Sequence, residues 1–386
     1  MLTLTARKGP THRPWLLRAG RAALAMAVGA ALLLAPLARA QESIPKNLIE
    51  KPGPLNEAEK ELIRKVVEPL AQGLGDPATV KRSRQELLGP LENASISPPF
   101  RLEYSRLLDP VLTKLSADPR DVVAINALVI AGEVATDASV GVLAKQMGNP
   151  KQVVRYAAVR GIGHTFEAVE RSLPALNAER ASKMVDEVGK QLSVETDPSV
   201  VDALARALVA GMNVTSQGSG LGDLRPRATK ELSARLGDRV QGAGEKCNPA
   251  LLDTVLTAGT AVRDALGTRL PDDVRGAAGR LAGDVLTHLY KAVKFGKDLP
   301  AIQNDDEPSA KTAKVHARVV AAQAAALCET IIGLATEGAY RSQGLDEMLK
   351  PATVRDDARF LEGVRTAISS LTRPPLSLDP ARFQLN

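Results

Sequence analysis

Residues 149–163 read NPKQVVRYAAVRGIG, in which an Asn-Pro pair is followed by valines, small residues, arginines and glycines. Two other stretches begin with Asp-Pro and share its spacing: DPRDVVAINALVIAG at 118–132 and DPSVVDALARALVAG at 197–211. Their apolar residues fall at helical intervals. This self-similarity predicts a repeated helical unit, which would decide the architecture of the chain.

The spacing that the three stretches share suggests a physical role for each position. The Asp or Asn is expected to cap a helix, with Pro in its first turn. Valines then bury one face, and small residues let the next helix approach closely. The glycine fourteen positions on, which is Gly132, Gly163 or Gly211, is expected to provide the left-handed backbone that ends a helix. A weaker fourth copy starts at Asn248.

The stretch at 149–163 resembles the HEAT-repeat family within the armadillo-like group. The family pattern has Asp-Pro, Val-Arg, Ala-Ala and Leu-Gly pairs. Gly161 departs from it by replacing the usual Ala, and Ala124 and Ala203 stand where the family has an arginine. The starts lie 31 and 48 residues apart, which brackets the roughly 40–47 residues of helical-pair repeats. The resemblance rests on Asn149, Pro150, Val154, Arg155, Ala157, Ala158, Gly161 and Gly163.

The resemblance covers about residues 105–215 and implies an all-α, right-handed superhelix of stacked helix pairs. Such solenoids mostly present binding surfaces for other proteins. The rest of the chain is also helical in pattern, since period-two alternation is rare and Asn56 with Glu59 suits a capping box. We therefore expect a signal peptide at 1–40, a disordered lead at 41–55, HEAT-like repeats at 56–212, a Gly/Ser loop at 213–225, divergent helical repeats or a helical bundle at 226–371, and a Pro-rich tail at 372–386.

The first forty residues have the pattern of a secretory signal peptide. A basic start precedes an uncharged run of 17 residues, Ala22–Ala38, and a small-residue site ends at Ala40. This pattern predicts cleavage between Ala40 and Gln41 and a secreted, periplasmic or cell-envelope protein. The alternative is a retained membrane anchor, because the run is at the short limit of the roughly 17–25 residues of a spanning helix.

The charge of the chain is concentrated in that first segment. Residues 1–40 hold six of the 50 Lys and Arg and none of the 44 Asp and Glu, so the cleaved chain would carry equal numbers of each. A neutral chain gives no electrostatic reason to expect nucleic acid as a partner. Aromatic residues are also scarce, and the single Trp15 lies in the predicted signal, which disfavours a base-stacking platform.

Few residues have the spacing of a catalytic or metal site. The four histidines, His12, His164, His288 and His316, are not at metal-ligand spacing. His164 is expected at a helix end, and the acidic run Asn304–Glu307 is expected to be a solvated loop. We therefore predict no metal, no cofactor and no catalytic residues.

Two cysteines, Cys247 and Cys328, leave a disulfide open. In an exported protein they could form one bridge, or each could be a buried thiol on a helix. Sequence separation alone does not establish that they are close.

Arg155 and Arg160 are the candidate partner contacts. Both could lie on a surface that binds an acidic partner. Alternatively, Arg155 pairs with an acid of a neighbouring repeat, as the family resemblance favours. The leading prediction is an exported, non-catalytic scaffold or protein-binding module. The alternatives are an enzyme with its site in the C-terminal helical half and an envelope-anchored structural protein.

Overall fold

The computed structural model describes residues 43–215, 221, 223–244, 248–295, 299, 307–350 and 356–385. This part of the chain contains fifteen α-helices and no β-strand. The helices are α1 Lys46–Ile49, α2 Glu57–Gly73, α3 Val80–Leu88, α4 Pro98–Leu115, α5 Asp121–Val134, α6 Asp137–Gln146, α7 Gln152–Arg171, α8 Ala178–Val194, α9 Pro198–Asn213, α10 Arg225–Gly242, α11 Pro249–Leu266, α12 Asp272–Phe295, α13 Pro308–Ala335, α14 Leu345–Leu349 and α15 Asp357–Leu371.

The long helices alternate between two layers. In the first layer α3, α5, α7, α9, α11 and α13 pack side by side in chain order, and in the second α2, α4, α6, α8, α10, α12 and α15 do the same. Helices adjacent in sequence also pack across the layers, as α9 does on α10 and α12 on α13. Helix pairs that each contact the next pair define an α-solenoid. The predicted armadillo/HEAT-like architecture is therefore confirmed.

The two layers continue without a break through the C-terminal half. Helix α11 packs on α9, and α12 packs on α10. The Gly/Ser loop at 213–225, of which residues 216–220 and 222 lie outside the described part, therefore does not separate two differently built regions. The helices described within residues 226–371 continue the stack that begins at α2.

The starts of the repeat helices differ in one respect from the prediction. Asp197 caps α9 as expected, because its side chain accepts from the amides of Ser199 and Val200 at 2.9 and 3.1 Å. Asp118 and Asn149 instead accept from the amide two residues on, each at 2.9 Å. This bond closes a turn before the helix. Helices α5 and α7 therefore start only at Asp121 and Gln152, and the prolines lie in the turns.

The predicted role of the repeat glycines as helix terminators is wrong. Gly132, Gly163 and Gly211 all lie inside helices. A Cβ on Gly132 would stand 2.6 Å from the carbonyl oxygen of Gly161, so α5 and α7 cross where neither carries a side chain. A Cβ on Gly161 would stand 2.6 Å from a methyl carbon of Leu143 and 3.1 Å from the carbonyl oxygen of Leu128, which explains why Gly161 replaces the usual Ala. Helix α5 ends instead at Ala135, whose φ is 51°.

The two flanking segments pack on the stack. The lead was expected to be disordered, but after Ile44 it forms α1 and buries Leu48, Ile49 and Leu55. Helix α1 packs on α4 of the second layer, which removes these apolar side chains from water. The tail also packs: Phe383 is buried, and a Cβ on Gly283 of α12 would stand 2.5 Å from its ring.

Several predictions concern residues beyond the described part of the chain. The signal peptide, its Ala40/Gln41 junction, Cys247 and Asn304–Asp306 lie there, and those predictions stand as they were. Within the described part, α13 has the length and composition of a membrane span, and 61% of its apolar window is buried. Its packing against α11 and α12 makes it a core helix of the stack.

Candidate binding surfaces

Arg155 joins two neighbouring repeats. Its Nε and Nη2 donate to the two carboxylate oxygens of Glu195 at 2.8 and 3.0 Å. Its Nη1 donates to the carbonyl oxygens of Asn149 and Pro150 at 3.0 and 3.1 Å. Glu195 is only 4% exposed and lies in the turn between α8 and α9. The guanidinium is thus committed to the next repeat, which is the arrangement that the family resemblance favours.

The pair is held in its charged form by its surroundings. Burial alone would raise the pKa of Glu195, but Arg155 and the amides of Asp197 and Thr196 outweigh it and lower the pKa to about 2. The pKa of Arg155 is raised, chiefly by its hydrogen bonds to Glu195. The ion pair therefore persists throughout the neutral and mildly acidic range.

Replacing Arg155 by alanine is expected to lower the free energy of unfolding by about 2 kcal/mol, because buried Glu195 keeps two amide donors but loses its counterion. Thermal unfolding followed by circular dichroism measures the change. The matched control is Arg160→Ala on the same helix, where exposure predicts a change within about 0.5 kcal/mol. Equal melting temperatures for the two variants would contradict the structural role of Arg155.

Basic residues also link neighbouring repeats at the starts of α5 and α7. Arg120 donates to the carbonyl oxygen of Gly75 at 3.0 Å. Lys151 donates to the carbonyl oxygen of Pro119 at 2.6 Å and pairs with Asp121 at 2.7 Å. Both basic residues directly follow the proline of the repeat motif. This position is a sequence signal that reasoning from the motif alone overlooked.

The opposite ends of α5 and α7 meet around one buried cation. Arg101 of α4 is 1% exposed. It donates to the carbonyl oxygens of Glu133 and Val134 at 2.6 and 3.0 Å and to Ser172 Oγ at 2.9 Å. Burial, aided by nearby Arg171, lowers the pKa of Arg101 to about 10, which leaves it charged. Sequence reasoning missed this residue, since α4 has no repeat motif.

His164 belongs to the same end of the stack. Helix α7 runs on to Arg171, so the prediction that His164 lies at a helix end is wrong. Its Nδ1 lies 3.3 Å from a carboxylate oxygen of Glu133 and 3.2 Å from one of Glu167. The histidine is half-buried and lies with Glu133 and Glu167 in a cluster of polar side chains at the surface.

The outer side of the first layer carries a small patch of exposed apolar and basic residues. Val153, Tyr156 and Arg160 lie on one face of α7, and Val122 holds the position in α5 that matches Val153. The exposed fractions of Val122, Val153 and Tyr156 are 46%, 40% and 40%. Arg206 lies on α9, which packs beside α7, and pairs with Asp202 at 2.7 Å. We call Val122, Val153, Tyr156, Arg160 and Arg206 the first-layer patch.

Tyr156 is unusual among the aromatic residues. The other three tyrosines are buried, and of the phenylalanines only Phe295, at the end of α12, is exposed. All four tyrosines and all five phenylalanines lie in the described part of the chain. An exposed tyrosine beside two exposed valines is therefore a local departure from the general burial of aromatic side chains.

A compact group of ionisable side chains lies where the tail meets α12. Arg382 of the tail reaches α12, where its Nε and Nη2 donate to Asp284 at 2.9 and 2.7 Å, and its Nη2 also contacts Asp238 at 2.7 Å. His288 and Lys291 line a cavity of about 100 Å³ beside this group. Burial raises the pKa of Asp284 to about 6 although Arg382 opposes the rise.

The remaining candidate residues are dispersed. Cys328 is buried in α13, and burial raises the pKa of its thiol. Because Cys247 lies outside the described residues, both alternatives, a Cys247–Cys328 bridge and two separate buried thiols, stay expectations. His288 is buried with Nδ1 3.1 Å from the carbonyl oxygen of Gly244, while His316 is exposed on α13. Across the described residues, His, Cys, Asp and Glu do not gather in threes in a way that could hold a metal ion.

Comparisons with known proteins give distant structural likenesses. No family model and no curated protein matches the chain. A designed armadillo repeat protein, YIII(Dq)4CqI, is 14% identical with a TM-score of 0.27 and is covered to 98%, against 67% of this chain. An engineered protein is 16% identical with a TM-score of 0.28, covering 85% of this chain and 83% of its own length. At such low TM-scores, the assignment of the fold rests on the packing of the helices.

Proposed function

We propose that the protein is an exported, non-catalytic HEAT-like scaffold that binds another protein through the first-layer patch. The observation that carries this proposal is the exposure of Tyr156, with Val153 and Arg160 on the same face of α7. Tyrosine and arginine are enriched among the residues that dominate binding energy at protein interfaces. Neighbouring repeats extend that face, as solenoid binding surfaces do.

The surroundings of the buried ionisable groups support a structural rather than a catalytic role. Glu195 is paired with Arg155, and Asp284 is paired with Arg382. Glu329 of α13 accepts from the hydroxyl of Tyr340 at 2.6 Å and the amide of Leu345 at 2.9 Å. Each of these carboxylates is satisfied by the protein itself, so each is best explained as a link between elements of the fold.

An enzyme remains the second candidate because Asp284, His288 and Lys291 surround one cavity. The raised pKa of Asp284 is a feature that general acids share. However, the cavity volume of about 100 Å³ is well below the roughly 300–1,000 Å³ of small-molecule sites. The carboxylate of Asp284 is also already paired with Arg382. The size and the ion pair favour the scaffold. Export itself is proposed from the signal-like segment at residues 1–40.

Site-specific photo-crosslinking tests the scaffold proposal. A benzoyl-phenylalanine at position 156 of the full-length exported protein is expected to form one discrete adduct with another protein. The same residue at Leu102, which is 53% exposed on the second layer, is the matched control and should not form that adduct. With the purified pair, Tyr156→Ala combined with Arg160→Glu should weaken binding about 10- to 100-fold, as loss of interface hot spots does. Identical adducts from both positions, or unchanged affinity, would refute the proposal.

A further inference from the structure

A basic groove lies at the C-terminal end of the stack, between the loop after α13 and helix α15. It has a volume of about 630 Å³. Its lining includes three arginines and three hydroxyl side chains: Arg341, Arg365, Arg373, Thr366, Ser369 and Ser370. We call these six residues the C-terminal groove. It belongs to none of the surfaces described above.

The groove has an excess of positive charge. Glu362 is the acid in its lining, and it pairs with Arg365 at 3.1 Å. Neither Arg341 nor Arg373 forms an ion pair with any described residue; both are exposed. A local surplus of two cations stands out because residues 41–386 carry equal numbers of basic and acidic side chains. Gathered cations raise the local potential and attract an anionic partner.

Hydrogen bonds order the elements that carry the three arginines of the groove. Arg365 donates to the hydroxyl of buried Tyr290 at 2.9 Å as well as to Glu362. The loop that carries Arg341 is tied to α13 by Glu329, which accepts from Tyr340 and Leu345. Arg373 follows the end of α15, and its carbonyl oxygen accepts from the amide of Ser377 at 2.9 Å. The Arg365 side chain and the backbone that carries Arg341 and Arg373 are thus ordered in advance, which lowers the entropy that binding would cost.

The hydroxyl groups indicate which kind of anion fits. Thr366 and Ser370 already donate their protons to backbone carbonyl oxygens of α15, at 3.2 and 2.6 Å. Their oxygens are therefore left as acceptors. A phosphate has mainly acceptor oxygens, whereas a polypeptide brings N–H donors together with side-chain carboxylates. Acceptors beside arginines thus suit an acidic peptide.

The shape and composition of the groove also disfavour a lipid surface. Binding at a membrane interface combines basic residues with exposed apolar side chains that insert among the lipids. The lining of the groove offers hydroxyls, an amide and arginines instead, and Tyr340 is buried. We propose that the C-terminal groove binds an acidic segment of a partner polypeptide, with Arg341 and Arg373 pairing with its carboxylates. This inference rests on the proposed protein-binding function and adds a second contact to it.

Fluorescence anisotropy with a labelled ten-residue peptide of alternating Glu and Ser tests the proposal on the full chain from Gln41. Arg341→Glu combined with Arg373→Glu should weaken peptide binding at least tenfold, and the milder Arg341→Gln with Arg373→Gln should give an intermediate loss. The control, Arg269→Glu with Lys81→Glu, makes the same change of net charge at two exposed positions elsewhere and should bind as the parent does. Melting curves confirm that all variants fold.

Three results would overturn the proposal that the C-terminal groove binds an acidic peptide. The first is an equal loss of peptide affinity in the control variant, and the second is displacement of the peptide by a few millimolar inorganic phosphate. The third is the absence of peptide binding together with binding to vesicles of phosphatidylglycerol and phosphatidylcholine that the arginine variants abolish. The crosslink at position 156 separates the two proposals. If the adduct forms while the groove variants leave peptide binding unchanged, only the proposal for the C-terminal groove is rejected. If the groove variants weaken peptide binding while no adduct forms, only the proposal for the first-layer patch is rejected.

Discussion

Replacing Arg101 by methionine is expected to lower the free energy of unfolding by about 3–5 kcal/mol, the range for removing several buried hydrogen bonds to a charged group. Methionine fills much of the volume of the arginine but donates no hydrogen bond. The carbonyl oxygens of Glu133 and Val134 would remain buried without this donor. The C-terminal end of α5 would also lose the cation that faces its dipole.

Urea unfolding followed by circular dichroism measures this loss. Arg64→Met in α2 provides the control, because Arg64 is 39% exposed and pairs at 2.7 Å with Glu61, which is 47% exposed. Exposed pairs contribute little, so the control should change stability by no more than about 1 kcal/mol. If both variants lose the same amount, the carbonyl contacts of Arg101 do not stabilise the stack.

Local patterns in the sequence were enough to predict most helices. Asn56 forms the expected capping box with Glu59 at the start of α2. Apolar periodicity and capping residues act over a few positions, so a single sequence records them. The armadillo/HEAT-like architecture followed because the repeat motif marks the start of helices that occupy equivalent places in the first layer.

Features that depend on distant partners could not be predicted in the same way. A glycine near the apparent end of a motif fits a helix terminator, and only the crossing of α5 and α7 shows that Gly132 faces Gly161. The Pro-rich tail has no regular spacing of apolar residues that would predict the burial of Phe383. Arg341 and Arg373 meet in one groove only because α15 folds back beside the loop after α13.

The ion pair of the tail makes stability depend on pH in a direction that can be derived. Burial raises the pKa of Asp284 to about 6, against an ordinary value of 3.8. Between these values the folded protein binds the proton more tightly than the unfolded chain. The contribution of this group to stability is therefore greatest below about pH 4 and falls by up to about 3 kcal/mol as the pH rises through 6. Glu195, whose pKa is lowered, acts in a separate window, since its contribution is lost only as the pH falls toward 2.

Replacing Arg382 by glutamine should therefore destabilise the protein strongly at pH 8 and only slightly at pH 5. At pH 8 the carboxylate of Asp284 would be buried without the partner that now donates to both of its oxygens, a situation that typically costs about 3–5 kcal/mol. At pH 5 the folded protein already holds Asp284 mostly protonated, and removing the cation raises its pKa further. Urea unfolding at the two pH values measures the difference.

The double variant Asp284→Asn with Arg382→Gln isolates the charge of Asp284 from the neighbouring groups. Asn has the size of Asp without a charge to bury, so the double variant should recover most of the stability that Arg382→Gln loses at pH 8. It should also lose the part of the pH dependence between 5 and 8 that Asp284 causes, while His288 and Lys291 beside the cavity are the same in both variants. A loss of equal size at both pH values would show instead that Arg382 stabilises the tail by packing, with Phe383, against α12 rather than by neutralising a buried carboxylate.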